Sequence, residues 1–340
     1  MPRSISSSSI PCSASRPAFR RCSPRIPRSP TVLLACAIWA ASTAMAAAFD
    51  LQAHRGGRGL APESTLAAFR NAVAMGVTTL ESDLAVTKDG VLVLSHEPRL
   101  NPDLVRTPDG QWLDAVGPTI KSLTLAELKT YDIGRLNPVN RYGKQFPLQK
   151  PADGERFPTL AELFAMAGPD VRFNIETKVD PNKPDETIDP LRFAKLTVDA
   201  IRAAKMEKRA TIQSFDWRPL IEAKRLAPDI ETVCLTIESQ NMNTVEGNPS
   251  AWLGGLDVNP GRSLMQLVKM AGCSTWSPFW RNVTSASIAE AHELGLKVIP
   301  WTVNDPAEMK RLIDLKVDGL ITDYPDRGLA VLAEKGLKSR

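Results

Sequence analysis

Two carboxylates in one strand-like segment are the first sign of chemistry in this sequence. Glu81 and Asp83 are two residues apart, among the apolar residues Leu80, Leu84 and Val86. Side chains alternate along a strand, so both carboxylates project from the same face. Two acids held together inside a protein repel each other unless a cation lies between them. The pair therefore indicates a metal site.

A turn returns a histidine to these acids. Asp89-Gly90 follows the strand and is a strong signal for a β-hairpin. If these two residues form the loop, Asp83 pairs with His96 on the returning strand. His54 ends an earlier strand, and the carboxyl ends of the strands of a parallel barrel lie on one face. We predict that His54 and His96 lie together at the acids and that His54 is catalytic.

A third acid comes from the strand predicted over Val171–Lys178. Polar and apolar residues alternate there, which places Glu176 and Lys178 on one face. Glu176 completes a set of three carboxylates, and such ligands favour one divalent cation, Ca²⁺ or Mg²⁺, over zinc. Three carboxylates and one such ion remain negative. Arg55, next to His54, and Lys178 would reverse that charge locally, and a guanidinium such as that of Arg55 can bind an anion through two parallel hydrogen bonds.

The remaining site candidates are less specific. Glu63, Gln213 and Trp301 are expected to contact substrate hydroxyls or to form walls of the site, although Glu63 would equally suit the N-terminus of a helix. His292 has helical spacing with Ile288 and Ala291, and we expect it to be a packed core residue.

Alternating strand-like and helix-like segments predict βα units. Eight strands are expected, over residues 49–54, 79–86, 171–178, 210–215, 232–237, 272–277, 297–303 and 319–322. Eight strands with intervening helices favour an α/β fold of the TIM-type (β/α)₈ barrel over an open doubly wound sheet. A long segment rich in Pro, Gly, Asn and Asp, about 98–160, interrupts the pattern. We interpret it as an insertion after the second strand that folds over the barrel mouth; the alternative is a surface excursion without function.

The N-terminus has the parts of a secretory signal peptide. All six basic residues of the first 46 lie in a stretch without acids, followed by a short apolar run and the triplet Ala44-Met45-Ala46. We expect cleavage near Ala46 and export to the periplasm or the medium, without a stable membrane span; a retained span and lipidation at Cys36 are the alternatives. The rest has 36 basic and 38 acidic residues, which gives no reason to propose nucleic acid as a partner.

The sequence leaves two properties open. Five cysteines become two after such cleavage, Cys234 and Cys273, and these are as compatible with a disulfide as with two buried thiols. The oligomeric state has no signal in the sequence.

Ordered motifs along residues 49–326 resemble the glycerophosphodiester phosphodiesterase family, within the phosphatidylinositol phospholipase C-like phosphodiesterase superfamily. The motifs are His54-Arg55-Gly56, Pro62-Glu63-Ser64-Thr65, Glu81-Ser82-Asp83, Thr87-Lys88-Asp89-Gly90, His96, Ile175-Glu176-Thr177-Lys178, Trp301-Thr302-Val303-Asn304 and Gly319-Leu320-Ile321-Thr322-Asp323-Tyr324-Pro325. Ser64 replaces the usual Asn, and Glu97 replaces a common Asp. Neither position carries the proposed chemistry.

The resemblance implies one phosphodiesterase domain over residues 47–340. It implies a TIM barrel, a cation held by Glu81, Asp83 and Glu176, and acid/base catalysis by His54 and His96. In that reaction we expect Arg55 to be catalytic as well, and Arg55 and Lys178 to bind the phosphodiester. The expected reaction releases glycerol 3-phosphate and an alcohol from a small glycerophosphodiester. Whether water or the substrate's glycerol 2-hydroxyl attacks stays open, as does which histidine is the acid.

Two other functions compete with this one. The first is a phospholipase D-like phosphodiesterase that acts on sphingolipids or lysophospholipids through an apolar entrance. The second is an exported protein that binds phosphodiesters without turnover, and it has no need of an acid/base pair.

Overall fold

Parallel strands and amphipathic helices alternate along the chain. The computed structural model describes residues 48–247, 249–257 and 261–340. The predicted signal peptide, residues 1–46, lies outside the described residues. The strands in chain order are β1 Asp50–Ala53, β2 Thr79–Val86, β3 Leu92–Leu94, β4 Arg172–Thr177, β5 Ala210–Ser214, β6 Glu231–Thr236, β7 Thr275–Pro278, β8 Lys297–Val298 and β9 Gly319–Thr322.

The helices lie between these strands or after the last one, and in the described residues all but the last begin at a side chain that caps them. They are α1 Leu66–Ala74, α2 Leu125–Leu128, α3 Leu160–Met166, α4 Pro190–Ala203, α5 Trp217–Leu226, α6 Leu264–Met270, α7 Ser285–Glu293, α8 Pro306–Asp314 and α9 Pro325–Glu334. Thr65 accepts a hydrogen bond from the Ala68 N–H at the start of α1, and Asp305 accepts from the Ala307 N–H at the start of α8. Every helix in the described ranges is too short or too polar to span a bilayer.

The predicted barrel is confirmed. Within the described residues, eight parallel strands follow the order β8-β7-β6-β5-β4-β2-β1-β9. β3 is not part of this order and pairs with β2 in the antiparallel direction. The circle closes because the segment after β8 bonds to β9: Ile321 N–H donates to Pro300 O (3.0 Å) and Val303 N–H donates to Ile321 O (2.9 Å). Pro300 has no N–H, which explains why the regular ladder of β8 ends earlier than predicted.

The predicted hairpin exists, but its register is shifted by one residue. Val86 pairs with Leu92 rather than Val93, and the backbone of Asp83 accepts from Ser95 N–H rather than pairing with His96. The loop has three residues instead of two, because Thr87 N–H bonds Val91 O across the turn. Its last residue, Gly90, has φ 82°, the left-handed conformation that such loops require.

The segment between β3 and α3 has a small core of its own. Val105, Ile120, Leu128 and Phe157 are buried together there against Val93 of β3. The segment also contains the short helix α2, with Thr124 as its N-cap. Residues from the start of this segment line the cavity at the carboxyl ends of the strands.

Two side-chain predictions are settled by packing. The prediction for His292 was wrong: its ring is 38% exposed at the end of α7 and lies 3.0 Å from Asp318, because the buried face of α7 consists of Ile288 and Ala291. Cys234 and Cys273 form a disulfide between the β6 strand and the residues before β7, with a Cα–Cα distance of 5.9 Å.

Candidate active site

The three predicted ligand carboxylates meet inside the barrel. Asp83 of β2 lies directly opposite Glu176 of β4, and Glu81 lies one inward-facing position before Asp83. All three are buried, and one oxygen of each lies within 4.8 Å of the others. The alternation of side chains along two neighbouring parallel strands produces this cluster. It can hold a divalent cation.

The charge of this cluster is incompletely balanced by the protein. Burial raises the pKa of Glu81 well above its usual value, and Asp83 and Glu176 add to the effect. Burial also raises the pKa of Glu176 to about 7, although Lys178 opposes this shift. Among the described residues, no donor forms a well-oriented hydrogen bond to either buried oxygen of Asp83. Buried oxygens without donors, next to two more carboxylates, fit a hard divalent cation.

Arg55 occupies a strained turn that aims its backbone at the acids. Its φ of 51° is left-handed, and its N–H donates to Glu81 Oε2 at 2.9 Å. Its guanidinium donates to Glu63 at 2.8 Å and lies 3.2 Å from Asp83. The next residue, Gly56, also has a positive φ, and a Cβ there would lie 2.8 Å from the Ala68 side chain. The turn therefore requires glycine after Arg55.

His54 is held in one orientation by an acid from the other end of the chain. Its Nδ1 lies 2.6 Å from Asp323, which follows β9, and its Nε2 lies 4.0 Å from Glu81. Burial lowers the pKa of His54 to about 4, although Asp323 opposes the shift. The pKa of Asp323 is lowered, since the attraction of His54 and Arg58 outweighs the effect of burial. A charged Asp323 accepts a hydrogen bond from the Nδ1–H group of His54. This favours the tautomer in which Nε2 carries the free lone pair.

His96 reaches the same site from the loop after β3. Its Nδ1 lies 2.8 Å from Glu97, and its side chain is 27% exposed. Its enclosure at the barrel mouth, with Arg55 and Lys178 nearby, lowers the pKa of its imidazole well below the usual value. His54 and His96 line one cavity of about 110 Å³ together with Glu81, Asp83 and Glu176. The one-residue register shift therefore left this part of the prediction intact.

Two basic side chains lie beside the acids, at the positions expected from the sequence. Lys178 Nζ lies 2.9 Å from Glu176 and 3.8 Å from Asp83. Arg55 and Lys178 both line the 110 Å³ cavity. Their positive charges therefore face the space in which an anionic group would bind.

The three less specific candidates take different positions. Gln213 donates to Glu81 at 2.7 Å and so orients a ligand carboxylate from the cavity wall. Trp301 forms part of the wall of the same cavity. Glu63 accepts a hydrogen bond from the Arg55 guanidinium. It is not among the residues that line this cavity. Direct contact of these three with substrate stays a prediction.

Three residues of the site were not identified from sequence. Asp323 holds His54, Arg58 donates to Asp323 at 2.8 Å, and Tyr142 accepts from Arg58 at 2.9 Å while its hydroxyl donates to Glu63. Asp323 stands in the C-terminal motif, which was the available signal. Tyr142 comes from the 98–160 segment, where no pattern marked it.

Comparisons with known proteins agree with this geometry. The model of the glycerophosphoryl diester phosphodiesterase family matches residues 54–327. A glycerophosphodiester phosphodiesterase of Caldanaerobacter subterraneus subsp. tengcongensis is 31% identical over 285 residues, which cover 84% of this chain and 97% of that protein. A human lysophospholipase D is 28% identical, with 81% of this chain and 83% of that protein covered.

The fold comparison gives the same result. A solved structure from Silicibacter pomeroyi with the same family description has a TM-score of 0.77 and 33% identity, and covers 86% of this chain and 95% of that one. The chain therefore belongs to the glycerophosphoryl diester phosphodiesterase family and is a phosphoric diester hydrolase.

Proposed function

We propose that this chain hydrolyses glycerophosphodiesters to glycerol 3-phosphate and an alcohol, with one Ca²⁺ or Mg²⁺ ion and with His54 and His96 as base and acid. The observation that carries the proposal is the single cavity in which both imidazoles face three carboxylates. A site that only bound phosphodiesters would have no need of an oriented imidazole such as that of His54.

Glu81, Asp83 and Glu176 would hold the cation. When bound, a divalent ion supplies a Lewis acid that stabilises negative charge on phosphate oxygens and lowers the pKa of a hydroxyl. Arg55 and Lys178 add two positive charges to the same cavity wall. Because the acids alone would repel a phosphodiester, these two side chains give the substrate's phosphate an attractive surface.

His54 suits the role of base. Asp323 fixes the Nδ1 proton, so Nε2 carries the lone pair that accepts a proton from the attacking hydroxyl. Asp323 also stabilises the imidazolium that results. The lowered pKa of His54 keeps its imidazole neutral near pH 7, as a base must be before the reaction.

His96 suits the role of acid toward the leaving alcohol. It lines both the 110 Å³ cavity and the larger cavity that opens beside it, whereas His54 lines only the first of these two. In the empty site the lowered pKa leaves His96 neutral near pH 7. The role of acid therefore requires that the bound phosphate anion, together with Glu97 at 2.8 Å, raises the pKa of His96 when substrate is present. Each such proton transfer contributes roughly 10²–10⁴-fold to the rate.

A coupled assay for glycerol 3-phosphate tests this function. We expect turnover of glycerophosphodiesters with added Ca²⁺ or Mg²⁺ and its loss in EDTA. His54→Ala and His96→Ala should each lower kcat by at least about 10²-fold, while His292→Ala, the matched control on the surface, keeps wild-type activity. Near-wild-type kcat in either active-site variant would reject the acid/base pair.

A lysophospholipase D activity is the second candidate, because a cavity of about 720 Å³ adjoins the catalytic one. A single assay separates the two. Faster hydrolysis of glycerophosphocholine than of lysophosphatidylcholine supports the first function, and the reverse supports the second.

We also propose that the protein is exported, with cleavage near Ala46. The Cys234–Cys273 disulfide supports this, because such bonds persist in oxidising compartments and are rare in the cytosol. Mass spectrometry of the protein from a periplasmic or culture fraction tests the proposal. We expect an N-terminus near residue 47 and no free thiol; an intact N-terminus in the cytosolic fraction would contradict it.

A further inference from the structure

Two cavities of different size meet at the site. The smaller, of about 110 Å³, contains the acids, both histidines and both cations. The larger, of about 720 Å³, is called the outer cavity here, and it shares Phe215 and Trp301 with the smaller one as a common wall. A phosphodiester has two alcohol arms. With the phosphate at the acids, one arm must leave the small cavity, and the shared wall directs it into the outer one.

Aromatic rings form one side of the outer cavity. The Phe215 ring lies 5.2 Å from that of Trp301 and 6.4 Å from that of Trp252, and both contacts are edge-to-face. All three rings line the cavity and none is fully buried. Rings set at steep angles to one another offer faces and edges to a compact group. The faces of Trp and Phe attract a cation.

Acidic side chains form another part of the lining. Five acids and three bases line the outer cavity. Two pairs neutralise each other, Arg99 with Glu186 at 3.1 Å and Lys178 with Glu176 at 2.9 Å. The remaining lining is one base, Lys183, and three acids, Glu97, Asp103 and Asp180. With His96 neutral, the lining is therefore negative overall by two charges, or by one when Glu97 or His96 carries a proton.

Within the described residues, neither Asp103 nor Asp180 forms an ion pair, and both accept hydrogen bonds from neutral amides. Asp103 accepts from the Asn140 side chain at 2.6 Å, and Asp180 accepts from the Asn182 N–H at 2.9 Å. Neither hydrogen bond neutralises the carboxylate that accepts it. Carboxylates in the lining disfavour a long acyl chain, which needs an unbroken apolar channel, and they repel an anionic head group.

We propose that the outer cavity is a leaving-group subsite for a small cationic alcohol, above all a quaternary ammonium alcohol, held by the faces of Trp252 and Trp301 and by the negative lining. This inference rests on the proposed function, because it assigns one arm of that substrate. It predicts selectivity for the positive charge itself rather than for the size of the head group.

The test compares two diesters of the same shape. The first is glycerophosphocholine, and the second carries 3,3-dimethylbutanol, in which carbon replaces the charged nitrogen. In wild-type enzyme we expect kcat/KM to be about tenfold higher for the choline ester. Trp252→Leu and Asp180→Asn should each reduce this ratio several-fold. Trp112→Leu and Asp199→Asn, matched changes outside the cavity, should leave the ratio as in wild type.

The outcomes are distinguishable. Equal kcat/KM for the two esters in wild-type enzyme would overturn the inference while leaving the proposed function intact, and so would a clear preference for lysophosphatidylcholine over both. Failure to hydrolyse any diester would reject the proposed function instead. In that case, fluorescence titration of Trp252→Leu and Trp112→Leu with glycerophosphocholine decides: weaker binding only in Trp252→Leu supports the subsite, and equal binding overturns it.

Discussion

Nδ1 of His54 lies 2.6 Å from Oδ1 of Asp323, although 269 residues separate them in the chain. The first and last strands of the barrel are neighbours, with Ala53 paired to Thr322, so the residues that follow them meet at the mouth. The contact orients the imidazole and fixes its tautomer. Closure of the barrel therefore brings together His54, the proposed base, and the carboxylate that orients it.

Asp323→Asn should lower kcat by about 10²–10⁴-fold with little change in KM. An amide can donate to Nδ1 and so favours the wrong tautomer of His54, and it cannot stabilise the imidazolium. Steady-state kinetics measure the effect. Asp318→Asn is the matched control, because Asp318 also pairs with a histidine, His292, far from the cavity wall. Equal loss in both variants would point to a general structural effect.

Glu176→Gln should weaken cation affinity at least about tenfold, the loss seen when even outer partners of metal ligands are removed. Isothermal titration with Ca²⁺ and Mg²⁺ measures it. Glu231→Gln, an exposed acid-to-amide change on β6, should bind as wild type does. Unchanged affinity in Glu176→Gln would remove this residue from the metal site.

Cation affinity should fall as the pH is lowered through 7. In the ion-free protein Glu176 has a pKa of about 7, and only its carboxylate form can be a ligand. Below pH 7 a proton must leave before the ion binds, so affinity decreases about tenfold from pH 8 to pH 6 for one such group. Titrations in buffers of different ionisation enthalpy would reveal the released proton. Constant affinity over this range would contradict the raised pKa.

The raised pKa of Glu176 makes cation affinity rise with pH, but it makes the stability of the ion-free protein fall with pH. A raised pKa means that the folded state of ion-free protein binds a proton more tightly than the unfolded chain. This contribution is fully present below the unfolded value near 4.3 and is lost as the pH rises through about 7. In EDTA, the Tm of wild type should therefore fall relative to the Tm of Glu176→Gln as the pH is raised from 5 to 8, because glutamine does not titrate.

Tyr142→Phe should lower kcat/KM about tenfold without loss of the fold. The hydroxyl links Glu63 and Arg58, which in turn hold Arg55 and Asp323, so its removal loosens both the phosphate-binding cation and the orientation of His54. Tyr131→Phe, in the same 98–160 segment, is the control. A large fall in Tm with unchanged kinetics at low temperature would show that Tyr142 serves stability alone.

Reduction of the disulfide should lower the free energy of unfolding by about 2–4 kcal/mol. Cys234 and Cys273 close a loop with a sequence separation of 39, and the crosslink restricts the unfolded chain. Urea unfolding with and without dithiothreitol measures the change. The double variant with serine at both positions should unfold like the reduced protein and show no further response to dithiothreitol.

The sequence alone determined the barrel and most residues of the candidate active site. Period-two alternation in β2 and β4 was sufficient to place Glu81, Asp83 and Glu176 on inward faces, because it reflects local backbone geometry. The hairpin prediction had the wrong register and still delivered His96. Loop length depends on the Thr87–Val91 hydrogen bonding, which the dipeptide Asp89-Gly90 does not specify.

The tertiary structure alone decided which distant side chains serve these residues. Asp323 and Tyr142 have ordinary local sequence contexts, and they gain their roles because barrel closure and the docked 98–160 segment bring them to His54 and Glu63. His292 is a prediction that failed for the same reason. Its helical spacing suggested a buried side chain, but the packing of its helix leaves it exposed. Contacts between residues far apart in the chain depend on how elements pack, and no local pattern encodes that packing.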